Sequence, residues 1–184
     1  MKVLIVNGSP NPKGATAAAL TIVEERLHKA IVQTEWFQLG GKPVRGCIDC
    51  RRCVETHRCA FDDDPCNALI EAILNADGVV IGTPTYFAGA NGALTAVLDR
   101  VFYAAVSHGQ LFKGKPAAVV ATFWRSGATD AIDRINKYFQ FGGMPIVSSS
   151  YWNVMMNPKE AADEKGVQTL SVLGDNLAQL VNSL

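Results

Sequence analysis

Residues 3–16 read VLIVNGSPNPKGAT. Four apolar residues, Val3 to Val6, give way to Asn, Gly, Ser and Pro, and from Thr16 the chain takes up a helical period. A short apolar run closed by turn formers predicts a strand buried on both faces, which is the strand type of a parallel sheet. The helix that follows, expected from Thr16 to Ala30, carries Leu20, Val23 and Leu27 on one face. A strand, a loop and an amphipathic helix make the first unit of an α/β protein.

The pattern repeats along the chain. Strands are expected at Val32–Leu39, Gly78–Gly82, Ala117–Thr122 and Ile146–Tyr151, the first of them alternating enough to lie at an edge. Helices are expected near Cys66–Asn75, Gly92–Tyr103, Asp130–Phe141 and Glu160–Val181. The Cys66 helix has Asp64 as its N-cap and Pro65 at its first position. The last has Leu170, Leu173, Leu177 and Leu180 at helical spacing. Five strands joined by helices predict a flavodoxin-like doubly wound parallel sheet, order 2-1-3-4-5, flanked by helices. In such a sheet ligands bind beyond the strand C-termini where the order reverses, beside the loops after strands one and three.

Composition narrows the function classes. The chain has 184 residues, 48% hydrophobic and 18% charged, which suits one flavodoxin-like domain over residues 1–184 and argues against disorder. Lys+Arg and Asp+Glu balance at 17 each, so no overall field favours nucleic acid or a membrane surface. The run Val3–Val6 is too short for a signal-peptide core or a spanning helix, and a cytoplasmic, reducing location is the default expectation.

The loop Gly8–Thr16 offers two hydroxyls, Ser9 and Thr16, and backbone N–H groups at a helix start, which together suit a phosphate. It reads Lys-Gly rather than Gly-Lys, so the phosphate loop of nucleoside triphosphatases does not match, nor does G-x-G-x-x-G. A plain turn built on Gly, Pro and Asn is the competing reading. After strand three, residues 82–90 read GTPTYFAGA and bring small residues and two aromatics to the same edge, a combination suited to a flat conjugated ring. Taken alone, Tyr86 and Phe87 read as core packing. A third segment, TFWRSG (residues 122–127), follows strand four, with Arg125 either facing a ring carbonyl or solvated.

GSPNPKGAT after strand one and GTPTYFAGANGALTAVLDR after strand three together resemble the NADPH-dependent FMN reductase branch of the flavodoxin-like superfamily. The resemblance implies FMN phosphate at Ser9, Gly14 and Thr16. It places the isoalloxazine against Pro84, Thr85, Tyr86 and Phe87, with Arg125 and Gly127 completing the ring site. Relatives commonly carry a polar residue where this chain has Ala15, which leaves more of the phosphate to the backbone and Thr16.

Residues 46–59 read GCIDCRRCVETHRC, putting four of the five cysteines into C-x2-C-x2-C-x5-C. Disulfides fit a reducing compartment poorly. Structural zinc more often pairs two C-x2-C knuckles across a longer insert. The first three spacings match the bacterial ferredoxin run, and the fourth differs. A metal-free reactive loop, with nearby arginines lowering thiol pKa values, is the remaining reading. Within the branch just named, the motif and the following Asp62-Asp63-Asp64 resemble the iron–sulfur flavoproteins of anaerobic microbes, which implies a 4Fe–4S cluster on Cys47, Cys50, Cys53 and Cys59. Cys66 has no counterpart there and reads as a small buried residue. Asp62–Asp64 read most simply as acidic residues at a helix N-terminus. Residues 40–64 have no period and few apolar residues, so a bound cluster is expected to organise them.

The expectation is an FMN-dependent oxidoreductase or electron-transfer flavoprotein in which FMN exchanges electrons with that cluster. No side chain is expected to supply acid–base catalysis, since the flavin carries the chemistry. A cluster-free NAD(P)H-dependent FMN or quinone reductase and a non-enzymatic electron carrier are the alternatives. The expected partners are a small redox substrate or a ferredoxin-like protein, and the resemblance implies a homodimer or homotetramer.

Overall fold

A computed structural model describes residues 1–107, 109–157 and 162–184. In chain order the elements are β1 (Lys2–Asn7), α1 (Ala15–Lys29), β2 (Gln33–Gln38), the single turn α2 (Cys53–Thr56), α3 (Cys66–Leu74), β3 (Gly78–Tyr86), β4 (Gly89–Ala90), α4 (Gly92–Val106), β5 (Ala117–Phe123), α5 (Ala128–Phe141), β6 (Val154–Met156) and α6 (Glu164–Asn182). Five strands pair in parallel in the order β2-β1-β3-β5-β6, and β4 folds back antiparallel on the end of β3. With that two-residue strand set aside, the order is the 2-1-3-4-5 expected from the sequence.

The strands sort their side chains by parity, as a pleat requires. Leu4, Val6, Val79, Ile81 and Val119 pack with α3, α4 and α5 on one face. Val3, Ile5, Val80 and Val120 pack with α1 and α6 on the other. Because β1, β3 and β5 are buried on both faces, their sequences are apolar runs rather than alternations. β2 pairs only with β1 and is exposed or half-buried along its whole length, as an edge strand is, without a strict alternation.

The fifth parallel strand is displaced from its expected place. Ile146 makes one bridge to Ala117, and the strand proper is β6, alongside Ala121–Phe123. Between them, the Ser149 hydroxyl lies 2.8 Å from the Tyr151 carbonyl and 2.7 Å from the Asn153 amide oxygen, and its one hydrogen serves either acceptor. Such local bonds compete with a strand ladder. The final helix starts at Glu164, with the Asp163 carboxylate accepting from the Gly166 N–H at 2.8 Å; the expected start at Glu160 lies outside the described residues. No helix among the described residues is long and apolar enough to cross a membrane.

Candidate functional site

The strand order reverses between β1 and β3, and a cleft opens beyond their C-terminal ends and that of β5. It encloses about 610 Å³, counting the space open to solvent. Its floor is a network that fixes the first loop. The Asn7 side chain accepts from the Ser9 N–H at 3.0 Å and donates to Gln38 at 2.8 Å, and Gln38 donates to the Ser9 carbonyl at 2.7 Å. The Ser9 hydroxyl accepts from the Asn11 N–H at 3.1 Å. Gly8 donates its N–H to the Gly82 carbonyl at 2.8 Å, and a Cβ at Gly8 would stand 2.6 Å from Leu94. Only glycine lets the two loops approach so closely.

α1 then starts at Ala15 with no side-chain cap, so its first N–H groups face the cleft without intrahelical partners. The Thr16 and Thr122 hydroxyls share one hydrogen bond at 2.9 Å. Two hydroxyls joined by one bond keep one hydrogen to donate elsewhere. Thr85 Oγ1 is buried and has no hydrogen-bond partner, a vacancy in polar accounting that a ligand's polar edge at this wall would fill. Tyr86 and Trp124, 48% and 66% exposed, stand at the cleft's apolar walls. The donor set and the flat apolar walls fit a phosphorylated ring cofactor such as FMN.

Of the expected flavin contacts, Ser9, Gly14, Thr16, Pro84, Thr85 and Tyr86 line this cleft. Phe87, Arg125 and Gly127 do not. Phe87 and Ala88 occupy consecutive left-handed positions (φ 49° and 59°) at the turn between β3 and β4, which turns Phe87 fully into solvent. Arg125 lies 5.9 Å from the Trp124 ring centre. Gly127 (φ 83°) packs behind the turn, where a Cβ would meet the Ala88 Cα at 2.6 Å. Asn157 also lines the cleft and sequence reasoning missed it; it follows β6, whose position was misread.

The cysteine segment leaves the same edge of the sheet, after β2. Cys47, Cys50, Cys53 and Cys59 all line one small cavity, together with Phe61, Arg100 and Tyr103. Cys47 and Cys50 are exposed, Cys59 is half-buried and Cys53 is buried, and burial raises the Cys53 thiol pKa. Asp49, Arg51 and His57 take left-handed φ values of 52°, 59° and 57°, so the backbone here is bent tightly without glycine. Among the described residues no three His, Cys, Asp or Glu side chains converge as ligands of a single ion. Thiolates of this kind are ligands both for zinc and for iron–sulfur clusters.

Two buried polar side chains brace the segment. Asn67, on α3, accepts from the Cys59 N–H at 2.7 Å and donates to the Cys59 carbonyl at 3.0 Å, the Phe61 carbonyl at 3.2 Å and Asp62 at 2.5 Å. Arg100, on α4, forms a two-pronged ion pair with Asp64, and the two side chains are 2% and 4% exposed. Burial works against the Arg100 charge, but the bonds to Asp64 and Cys59 outweigh it and raise its pKa. Burial likewise opposes the Asp64 charge, yet the Arg100 bond and the Cys66 N–H, which it accepts at 3.1 Å, hold its pKa below the usual carboxylate value. The N-cap of α3 is Pro65 rather than the expected Asp64, whose carboxylate serves Arg100 and the Cys66 N–H, and Asp62 is engaged by Asn67 and by Arg58 at 3.5 Å. Cys66 is fully buried, and burial pushes its thiol up to about 12.

Residues 1–158 match the family model described as NADPH-dependent FMN reductase. An iron–sulfur flavoprotein of Methanocaldococcus jannaschii is 26% identical over 189 residues, covering 98% of this chain and 97% of its own. Another, from Archaeoglobus fulgidus, is 32% identical over 130 residues, covering 71% of this chain and 63% of its own. Among solved structures, a flavone reductase superposes with a TM-score of 0.76 at 15% identity, over 99% of this chain and 63% of that one, a likeness of fold.

Proposed function

Because this chain belongs to the NADPH-dependent FMN reductase family, we propose that it is an FMN-dependent oxidoreductase of the iron–sulfur flavoprotein type. FMN would occupy the cleft at the sheet's switch point, and a 4Fe–4S cluster would be held by Cys47, Cys50, Cys53 and Cys59. The observation that carries this reading is that all four cysteines of one motif line a single cavity at the sheet edge that also bears the flavin cleft. When bound, FMN supplies the exchange between two-electron hydride donors and one-electron carriers.

The chain's own contribution is binding and orientation. Ser9, Gly14 and the Thr16–Thr122 hydroxyl pair, with the start of α1, would hold the phosphate. Thr85 would give its unpaired hydroxyl to the ring's polar edge, and Tyr86 and Trp124 would cover its faces. Phe87, fully exposed at the turn beside the cleft, supports a homo-oligomer in which a second subunit closes the ring site. A nicotinamide is the donor class that the family's description suggests, and a ferredoxin-like protein is the alternative.

Anaerobic purification followed by iron, sulfide and flavin analysis tests the reading. Stoichiometric FMN with about four irons per chain is expected; flavin without iron would sink the cluster half. The family model's description favours a second reading, a cluster-free NAD(P)H-dependent reductase. Fast hydride transfer from NAD(P)H in stopped flow, in iron-free protein, selects it.

A further inference from the structure

An arginine buried to 2% is costly unless every N–H has a partner. Arg100 meets that demand in full. A guanidinium carries five N–H donors. Nη1 and Nη2 take Asp64, the Arg45 carbonyl at 3.2 Å and the Phe61 carbonyl at 3.5 Å. The fifth donor, Nε, points at Cys59 Sγ at 3.2 Å. Three elements meet at this point: α4, which begins at the flavin loop; the start of α3, through Asp64 and Cys66; and the cysteine segment. Cys59 is also held by its own backbone through Asn67, whereas Cys47 and Cys50 are exposed on irregular chain.

We propose that Arg100 is a positioning and potential-setting residue for Cys59, holding its sulfur toward the cavity and stabilising negative charge on it; this rests on the cluster reading above. Asp64 balances the guanidinium charge, so what reaches the sulfur is chiefly one oriented, charge-assisted N–H bond. Hydrogen bonds to ligand sulfurs favour the more negative, reduced state and raise the potential of the group they serve. A lysine at position 100 keeps a charge opposite Asp64 but lacks the fork that serves carboxylate and sulfur together. A residue that only bolts the segment in place predicts altered stability with no change in potential.

The test uses the anaerobically reconstituted full chain, with bound FMN and thermal melting reporting the fold. R100K and the charge-neutral pair R100M/D64N are compared with wild type for iron and sulfide content and for the midpoint potential of the iron centre by electron paramagnetic resonance. R100K is expected to retain iron while its reduction equilibrium weakens about tenfold, roughly 59 mV more negative for a one-electron couple. R100M/D64N is expected to show at least that shift or to lose iron while keeping FMN. Folded variants with wild-type iron content and potentials within threefold of wild type in equilibrium constant overturn the proposal and leave the cluster reading standing. Wild-type protein that takes up no iron overturns both.

Discussion

Replacing Gly127 with alanine probes the contact that ties the third loop to the flavin loop. Gly127 sits at φ 83° before α5, and a Cβ there would lie 2.6 Å from the Ala88 Cα and 2.8 Å from the Ala88 Cβ. The left-handed conformation costs a non-glycine residue about 1–2 kcal/mol. Forcing a methyl against backbone adds about 1–3 kcal/mol, because Ala88 is itself locked at φ 59° in a tight turn and cannot yield freely. The sum, about 2–5 kcal/mol, leaves a domain of ordinary stability folded but lowers Tm by roughly 4–20 °C. Ala88 is continuous with Pro84–Tyr86, which line the cleft, so FMN affinity should fall as well, by about tenfold for each 1.4 kcal/mol of loop displacement left uncompensated. The control is Gly92→Ala. No atom lies within 4 Å of a Cβ built at Gly92, the first residue of α4, and alanine there should be neutral or stabilising by up to about 1 kcal/mol. Differential scanning calorimetry and fluorescence titration with FMN read both variants. A Gly127→Ala protein that melts with wild type and binds FMN equally would refute the packing of the third loop on the β3–β4 turn.

Thr85→Val removes a buried hydroxyl that has no hydrogen-bond partner within the protein. Its Tm without flavin should hold or rise, while FMN binding weakens by about 0.5–1.5 kcal/mol, or 2- to 13-fold, as read by titration. Asn67→Ala deletes four hydrogen bonds to residues 59–62 and should cost about 2–4 kcal/mol in urea unfolding, with faster proteolysis of the cysteine segment. Cys59→Ser should abolish iron binding and keep FMN. Cys66→Ala should retain iron, since Cys66 does not line the cavity, and lose only stability.

Much of this was legible in the sequence because burial on both faces of β1, β3 and β5 leaves a continuous apolar signature, and because glycines and prolines mark the loops that follow. Ile146–Tyr151 misled for a physical reason: its β-type side chains are outweighed by serine bonds to the local backbone, so pairing resumes only at Val154. Asn157 was missed with it. Phe87 and Ala88 gave no signal of their turn, since two left-handed residues at a hairpin end usually read as Asn and Gly. Arg100 was quoted as the end of a flavin-loop motif, and nothing in its neighbourhood along the chain announces a partner 36 residues earlier. Buried ion pairs between distant segments are set by tertiary packing and leave no local period.

The same pair changes how the cysteine segment is understood. Its scarcity of apolar residues suggested that only a bound cluster could organise it. Instead, Arg100, Asp64 and Asn67 fix the half around Cys59 through the Cys59 and Phe61 carbonyls, the Cys59 N–H and one another, using polar bonds where a hydrophobic core is absent. The other half is held at its start, where Arg100 donates to the Arg45 carbonyl at 3.2 Å, and Cys47 and Cys50 beyond that point are exposed. Ligand loading should therefore be asymmetric: Cys53 and Cys59 are held in place by α2 and by Arg100, and ordering entropy falls mainly on residues 46–52. Hydrogen exchange on ligand-free and iron-loaded protein reads this directly. Protection gained on loading should concentrate at 46–52, and an equal gain at 57–62 would show that the polar bracing does not hold that half before the cluster arrives.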